Sequence, residues 1–172
     1  MSLSGGPIWT CERAQCLWSG VGARQLLDEP ITAFFASRQC PGIAIRSAMD
    51  WALDQAKTRG VVAGGFHSPL EQSVLTVLLQ ARSPVVAVLA RPVSGAKLPP
   101  AWAEPLAQGR MAVVSTATAT ARLTNEAASV RNAQVAQLAS TIVVAHASAG
   151  GSLADLVALW RERKLVRLLV SQ

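Results

Sequence analysis

The chain has 172 residues, 51% of them apolar and 15% charged, which excludes general disorder and suits one α/β domain with several fully buried strands. No apolar run approaches the roughly 18 residues of a membrane span, and the N-terminus lacks a basic-then-apolar leader, so a soluble, cytoplasmic protein is expected. The formal charge of +6 leans weakly toward phosphate-bearing partners. The three cysteines, Cys11, Cys16 and Cys40, form no Cys-x-x-Cys pair and are read as structural thiols, with neither a metal nor a cofactor expected.

Residues 1–30 read as an arm that packs against the main domain. The first 22 are irregular in pattern, with Gly5-Gly6-Pro7, Trp9 and Trp18, and Ala23–Glu29 suits a short helix. From Ile31 to the C-terminus, apolar runs of strand length alternate with stretches of helical period, the signature of repeated βα units. The runs are Ile31–Ala36, Val61–Ala63, Val85–Ala90, Met111–Ser115, Ile142–Ala147 and Leu165–Val170, which predicts a mostly parallel sheet of about six strands with helices on both faces.

Between the first two runs, Ile45, Met49, Ala52, Leu53 and Ala56 follow the spacing of an amphipathic helix that Gly60 ends. The next helix carries Leu70, Val74, Val77, Leu78 and Ala81. It opens with Ser68 as N-cap, Pro69 at the first helical position and Glu71 closing a capping box. Pro99-Pro100 and Pro105 restrict residues 92–109 to a long loop with about a turn of helix around Trp102. A helix over 124–140 is capped by Thr124 or Asn125, and Leu153, Leu156, Val157 and Trp160 define the last one. The basic residues near the end, Arg161, Arg163, Lys164 and Arg167, are read as a solvated helix end. Trp9, Trp18 and Trp102 suit either core packing or a self-association surface that would make a homodimer.

In an open parallel sheet, ligands bind beyond the carboxyl ends of the strands where the strand order reverses. The residues following the apolar runs are Ser37-Arg38, Gly64-Gly65 with His67-Ser68, Arg91, Ser115-Thr116, and His146 with the loop Ser148 to Ser152. The glycine pair Gly64-Gly65 before a helix start suits close approach of an anion to the backbone. Arg131, three residues after Ala128 and four before Val135, points toward the protein body, where a carboxylate, backbone carbonyls or a ligand anion would have to meet its charge. His67 is the better ligand candidate of the two histidines. His146 suits a satisfied core position.

Val61–Leu79, the strand Val85–Ala90, Arg131-Asn132 ahead of Ile142–Ala147, and Gly150-Gly151-Ser152-Leu153 together resemble the Rossmann-type core of the DprA/Smf proteins, part of the broader SLOG group, and Ser37-Arg38 matches that family's Ser-Arg after the first strand. The resemblance covers Ile31 to the C-terminus. It implies a non-catalytic domain for single-stranded DNA or a nucleotide, with phosphate contacts from Ser37, Arg38, Gly64, Gly65, Arg131, Asn132, Gly151 and Ser152. The polar edge adds His67, Ser68, Arg91 and Gly150 to the candidates. Pro69-Leu70-Glu71 replaces the family's Gly-Ile-Asp, and Leu75 its histidine. A recombinase partner is not assumed.

A LOG-like nucleoside monophosphate phosphoribohydrolase is the alternative, with Glu71 or Asp155 as the acid. Its Pro-Gly-Gly-x-Gly-Thr-x-x-Glu loop is replaced here by Ser148-Ala149-Gly150-Gly151-Ser152-Leu153-Ala154-Asp155, without the second glycine–threonine step. A small-nucleotide sensor with an oligomeric response is the third reading.

Overall fold

In a computed structural model of the chain, residues 6–118 and 125–170 are described. Strands β1 (Trp9–Arg13) and β2 (Cys16–Gly22) form a hairpin, followed by a 3-10 turn over Arg24–Asp28. The βα series then runs β3 (Ile31–Phe35), α1 (Gly42–Thr58), β4 (Val61–Gly64), α2 (Pro69–Gln80) and β5 (Val85–Val88). After a 3-10 turn at Pro100–Trp102 come α3 (Ala103–Ala107), β6 (Met111–Ser115), α4 (Asn125–Leu138), β7 (Thr141–Val144), α5 (Ser152–Trp160) and β8 (Leu165–Leu168). The cap predicted at Thr124 or Asn125 falls outside the residues whose side chains are described.

The eight strands form one sheet in the order β1-β2-β6-β5-β4-β3-β7-β8, with β3 to β8 parallel and the hairpin antiparallel to β6. This is the mostly parallel α/β sheet the alternating pattern predicts, with two further strands. The stretch that read as irregular is the hairpin. Its two-residue turn places Ala14 and Gln15 at φ 50° and 62°, where Asn-Gly would ordinarily announce such a turn. Trp18 is wholly buried and donates its indole N–H to the Arg13 carbonyl at 3.1 Å, so packing accounts for it.

Successive strand residues feed opposite cores. Phe34 joins the core beneath α1 and α2 and stacks on Trp51 at 5.0 Å, while Phe35 faces α5 and meets Trp160 at 4.7 Å. Helix α1 corrects the sequence reading of its buried face. Ala44, Ala48, Trp51 and Ala52 are buried, whereas Ile45 and Leu53 are exposed, because the small alanines admit close approach of α2. Arg59, at φ 54°, terminates the helix one residue before Gly60. Lys164, partly buried, donates to the Ala136, Gln137 and Ala139 carbonyls at the end of α4, at 2.7, 3.2 and 2.6 Å. Among the described residues, no helix is long and apolar enough to cross a membrane.

Candidate functional site

The chain lays β4, β5 and β6 to one side of β3 and then returns to place β7 on its other side, so the order reverses between β3 and β7. Beyond that crevice lies a cavity of about 650 Å³. Its walls include Ser37 and Arg38 after β3, His67, Ser68 and Glu71 at the start of α2, Arg131 and Asn132 on α4, Ser148 and Gly151 before α5, and Ser152 at its first position. Nine of the candidates named from sequence therefore share one cavity: Ser37, Arg38, His67, Ser68, Glu71, Arg131, Asn132, Gly151 and Ser152.

The remaining candidates sit elsewhere. Gly65 and Arg91 line a neighbouring cavity, which His67 also borders. Gly64 ends β4 against the Phe66 ring, and Gly150 takes a turn at φ +74° in open space, so neither lines the switch-point cavity. Ser115 is spent structurally, donating its hydroxyl to the Leu89 carbonyl at 3.2 Å and accepting from the Ala117 N–H at 3.0 Å. His146 accepts at its carbonyl from the Ser37 N–H at 2.9 Å.

Ser37 also accepts the Ser148 N–H on its hydroxyl at 2.8 Å, which ties together the segments that follow β3 and β7. Ser68 caps α2 by accepting the Glu71 N–H at 3.3 Å. The expected capping box takes a different form here. The Glu71 carboxylate accepts the His67 N–H at 3.3 Å and reaches across to the Ala36 N–H at 3.2 Å, tying the β4–α2 turn to the end of β3. Burial pushes the Glu71 carboxyl up from its ordinary value, while the Ala36 N–H, the Ser68 hydroxyl, the Arg131 charge and the His67 N–H pull it back.

The glycine pair serves a purpose other than backbone turning. Neither glycine adopts a positive φ, and that conformation falls instead on Phe66 at φ 52°. A Cβ on Gly65 would lie 2.9 Å from the Cζ of Arg131 and 3.0 Å from its Cδ, closer still to Nε. Gly65 is therefore the space into which the arginine folds. Arg131 is 5% exposed, its Nη2 donates to the Asn132 side chain at 3.4 Å, and its Nε has no hydrogen-bond partner. Among the described residues no carboxylate comes within ion-pairing distance, 4.0 Å, of its guanidinium. Glu71 meets its charge only through space, and burial lowers the pKa of the guanidinium.

His67 stands between the two cavities. Burial holds its pKa below the ordinary histidine value of 6.5, and the charges of Arg131, Arg91 and Arg38 press it in the same direction. Sequence reasoning passed over Gln39 and Ala128 in the switch-point cavity, and Gln72, Lys97 and Trp102 in its neighbour. Only the loop's length around Trp102 signalled any of them.

No protein-family model matches the chain, and no curated protein is similar to it in sequence. Solved structures do share its architecture. DNA processing protein A (DprA) from Helicobacter pylori superposes with a TM-score of 0.76 at 16% identity, over 98% of this chain and 83% of that one. DprA from Streptococcus pneumoniae gives 0.71 at 19% identity, over 88% of this chain and 54% of that protein, so the chain spans about half its length. A molybdenum cofactor binding protein from Rippkaea orientalis gives 0.56 at 13% identity, over 81% and 76%.

Proposed function

From the DprA-like, SLOG-type fold as premise, we propose that the switch-point cavity holds a phosphate of single-stranded DNA or of a nucleotide, in a cytoplasmic binding domain that performs no catalysis. The observation that carries this reading is Arg131, a buried guanidinium on the cavity wall whose Nε is unpartnered. A buried cation without a contacting carboxylate is costly in isolation and is relieved by an anion. Arg38 adds a second charge, and Gly151, which caps α5 without a side-chain bond, leaves backbone N–H groups of the helix start at the same rim. The phosphate contacts fall to Ser37, Arg38, Arg131, Asn132, Gly151 and Ser152.

H. pylori DprA binds single-stranded DNA, and the R. orientalis protein binds the molybdenum cofactor, so the shared fold serves more than one ligand. Against glycosidic hydrolysis stands the state of the carboxylates. Both oxygens of Glu71 are engaged by backbone N–H groups, and Asp155 lies exposed on α5 outside the cavity.

Fluorescence polarisation of a labelled single-stranded oligonucleotide at low and high salt tests the proposal. Affinity falls steeply with salt, and Arg38→Glu or Arg131→Glu lowers it at least about tenfold. Absence of binding at both salt concentrations would remove the nucleic-acid reading.

A further inference from the structure

Across the Gly64–Ser68 turn from the switch-point cavity, the ends of β4 and β5 open into a second cavity of about 440 Å³. Its chemistry differs from that of the first. Phe66, Leu89, Leu98 and Trp102 supply an apolar wall, while Gln72, Arg91 and Lys97 supply polar groups around it. That combination, a greasy slot with a few donors, is the usual construction of a site for a planar organic group.

The wall is built in advance. Arg91 donates from Nη2 to the Lys97 carbonyl at 3.0 Å, bracing the loop from Pro92 to Pro99 against β5. Val93 and Ala96 beneath that loop are buried, and the Ala96 N–H closes a turn on the Val93 carbonyl at 3.1 Å. Phe66 holds a left-handed backbone conformation, φ 52°, with its ring packed over Gly64. A bulky residue in that region stores strain, and such strain collects where surrounding structure fixes a residue for use.

We infer that this second cavity is the base subsite of the ligand whose phosphate occupies the switch-point cavity. The inference rests on the phosphate reading above and adds the class of ligand: a nucleotide unit carrying an accessible base. A cationic compartment and an apolar one meet at a single residue, His67, and Gly65, which lines the apolar one, is packed against Arg131 of the cationic one. The pair fits a molecule that carries a phosphate at one end and a heterocycle at the other. Gln72 and Lys97 can hydrogen-bond the edges of the heterocycle, which an alkyl chain would leave unpaired.

Competition against the labelled oligonucleotide, using adenosine 5′-monophosphate and ribose 5-phosphate, tests the inference. The nucleotide is expected to compete about tenfold better, the contribution of one well-held base. Ala90→Trp, at the cavity wall, is expected to erase that advantage and leave ribose 5-phosphate unchanged. Trp102→Phe provides a readout independent of filling the cavity: the emission quenched by the nucleotide, and unaffected by the sugar phosphate, disappears in this variant. Equal competition by the two ligands on the unaltered protein would overturn the base subsite while the phosphate site stood. Oligonucleotide binding that neither small ligand disturbs would overturn it too. No binding of the oligonucleotide, the nucleotide or the sugar phosphate would remove the phosphate reading and this inference together.

Discussion

Replacing Gly65 by alanine isolates the arrangement on which the candidate site depends. The three atoms nearest to the added methyl all belong to Arg131, and Cζ at 2.9 Å would have to retreat by about half an ångström to reach ordinary contact. The side chain is buried, so relief comes only by pushing the guanidinium into the cavity or by displacing α4. Overpacking of this kind costs about 1–3 kcal/mol, offset by about 0.4–1 kcal/mol from the lower entropy of the unfolded chain, since Gly65 needs no positive φ. The net expectation is a destabilisation of about 1–2 kcal/mol. In an Arg131→Ala background the obstruction is gone and only the entropic gain survives, so Gly65→Ala becomes stabilising by about 0.4–1 kcal/mol. Urea denaturation of the four proteins in this cycle measures the coupling between the two positions. Gly65→Ala effects that agree within about 0.5 kcal/mol in the two backgrounds would refute the claim that the glycine exists to house the arginine.

Three further residues, His67, Glu71 and Lys164, carry measurable consequences. The His67 imidazole, followed by NMR, titrates below 6.5 in the free protein and rises toward or above it when inorganic phosphate or the oligonucleotide is added, because an anion offsets the surrounding arginines; an unmoved titration would place the anion elsewhere. Its lowered pKa means that the unfolded chain binds its proton more readily, so the stability contribution is present above about pH 6.5 and is lost as pH falls below it. Glu71→Gln presents an amide NH2 to one of the two backbone N–H groups and costs about 1–3 kcal/mol in thermal or urea unfolding. For Glu71 the sign is opposite to that of His67: its raised pKa favours the folded state fully below about pH 4.5 and ceases to do so as pH rises through the folded value, a dependence the glutamine variant should lack. Lys164→Met removes the donor to three carbonyls at the end of α4 and lowers stability by about 1 kcal/mol, with no change in oligonucleotide affinity.

The parallel core was legible because each of its strands is an apolar run bounded by turn residues, and because Ser68, Pro69 and Glu71 mark a helix start without tertiary help. The hairpin was not, since Ala14 and Gln15 enter left-handed conformations that their side chains do not advertise and that the register of β1 on β2, with Arg13 opposite Cys16, imposes. The face of α1 was misjudged for a related reason. Periodicity weights Ile45 and Leu53 by size, whereas packing against α2 selects the positions with the smallest side chains. At the site, sequence order placed Ser37 and Gly151 on one edge and helical spacing turned Arg131 toward the protein body, but the neighbouring cavity depends on how the loop to Trp102 folds back, which no local pattern encodes.

The shared fold does not choose the ligand, and local construction must do so. Two features of this chain bear on that choice. The carboxylate best placed for chemistry is held by two backbone donors and serves as a strut between β3 and α2, while the cation opposite is locked by the absence of a side chain at Gly65 and keeps a donor unspent. A site for bond cleavage needs a carboxylate with an oxygen available to a proton in flight, and a site for retention needs a fixed donor awaiting an acceptor. In the reading proposed above, the arrangement leans toward the second: each Glu71 oxygen already accepts a backbone N–H, whereas the Arg131 Nε still lacks an acceptor.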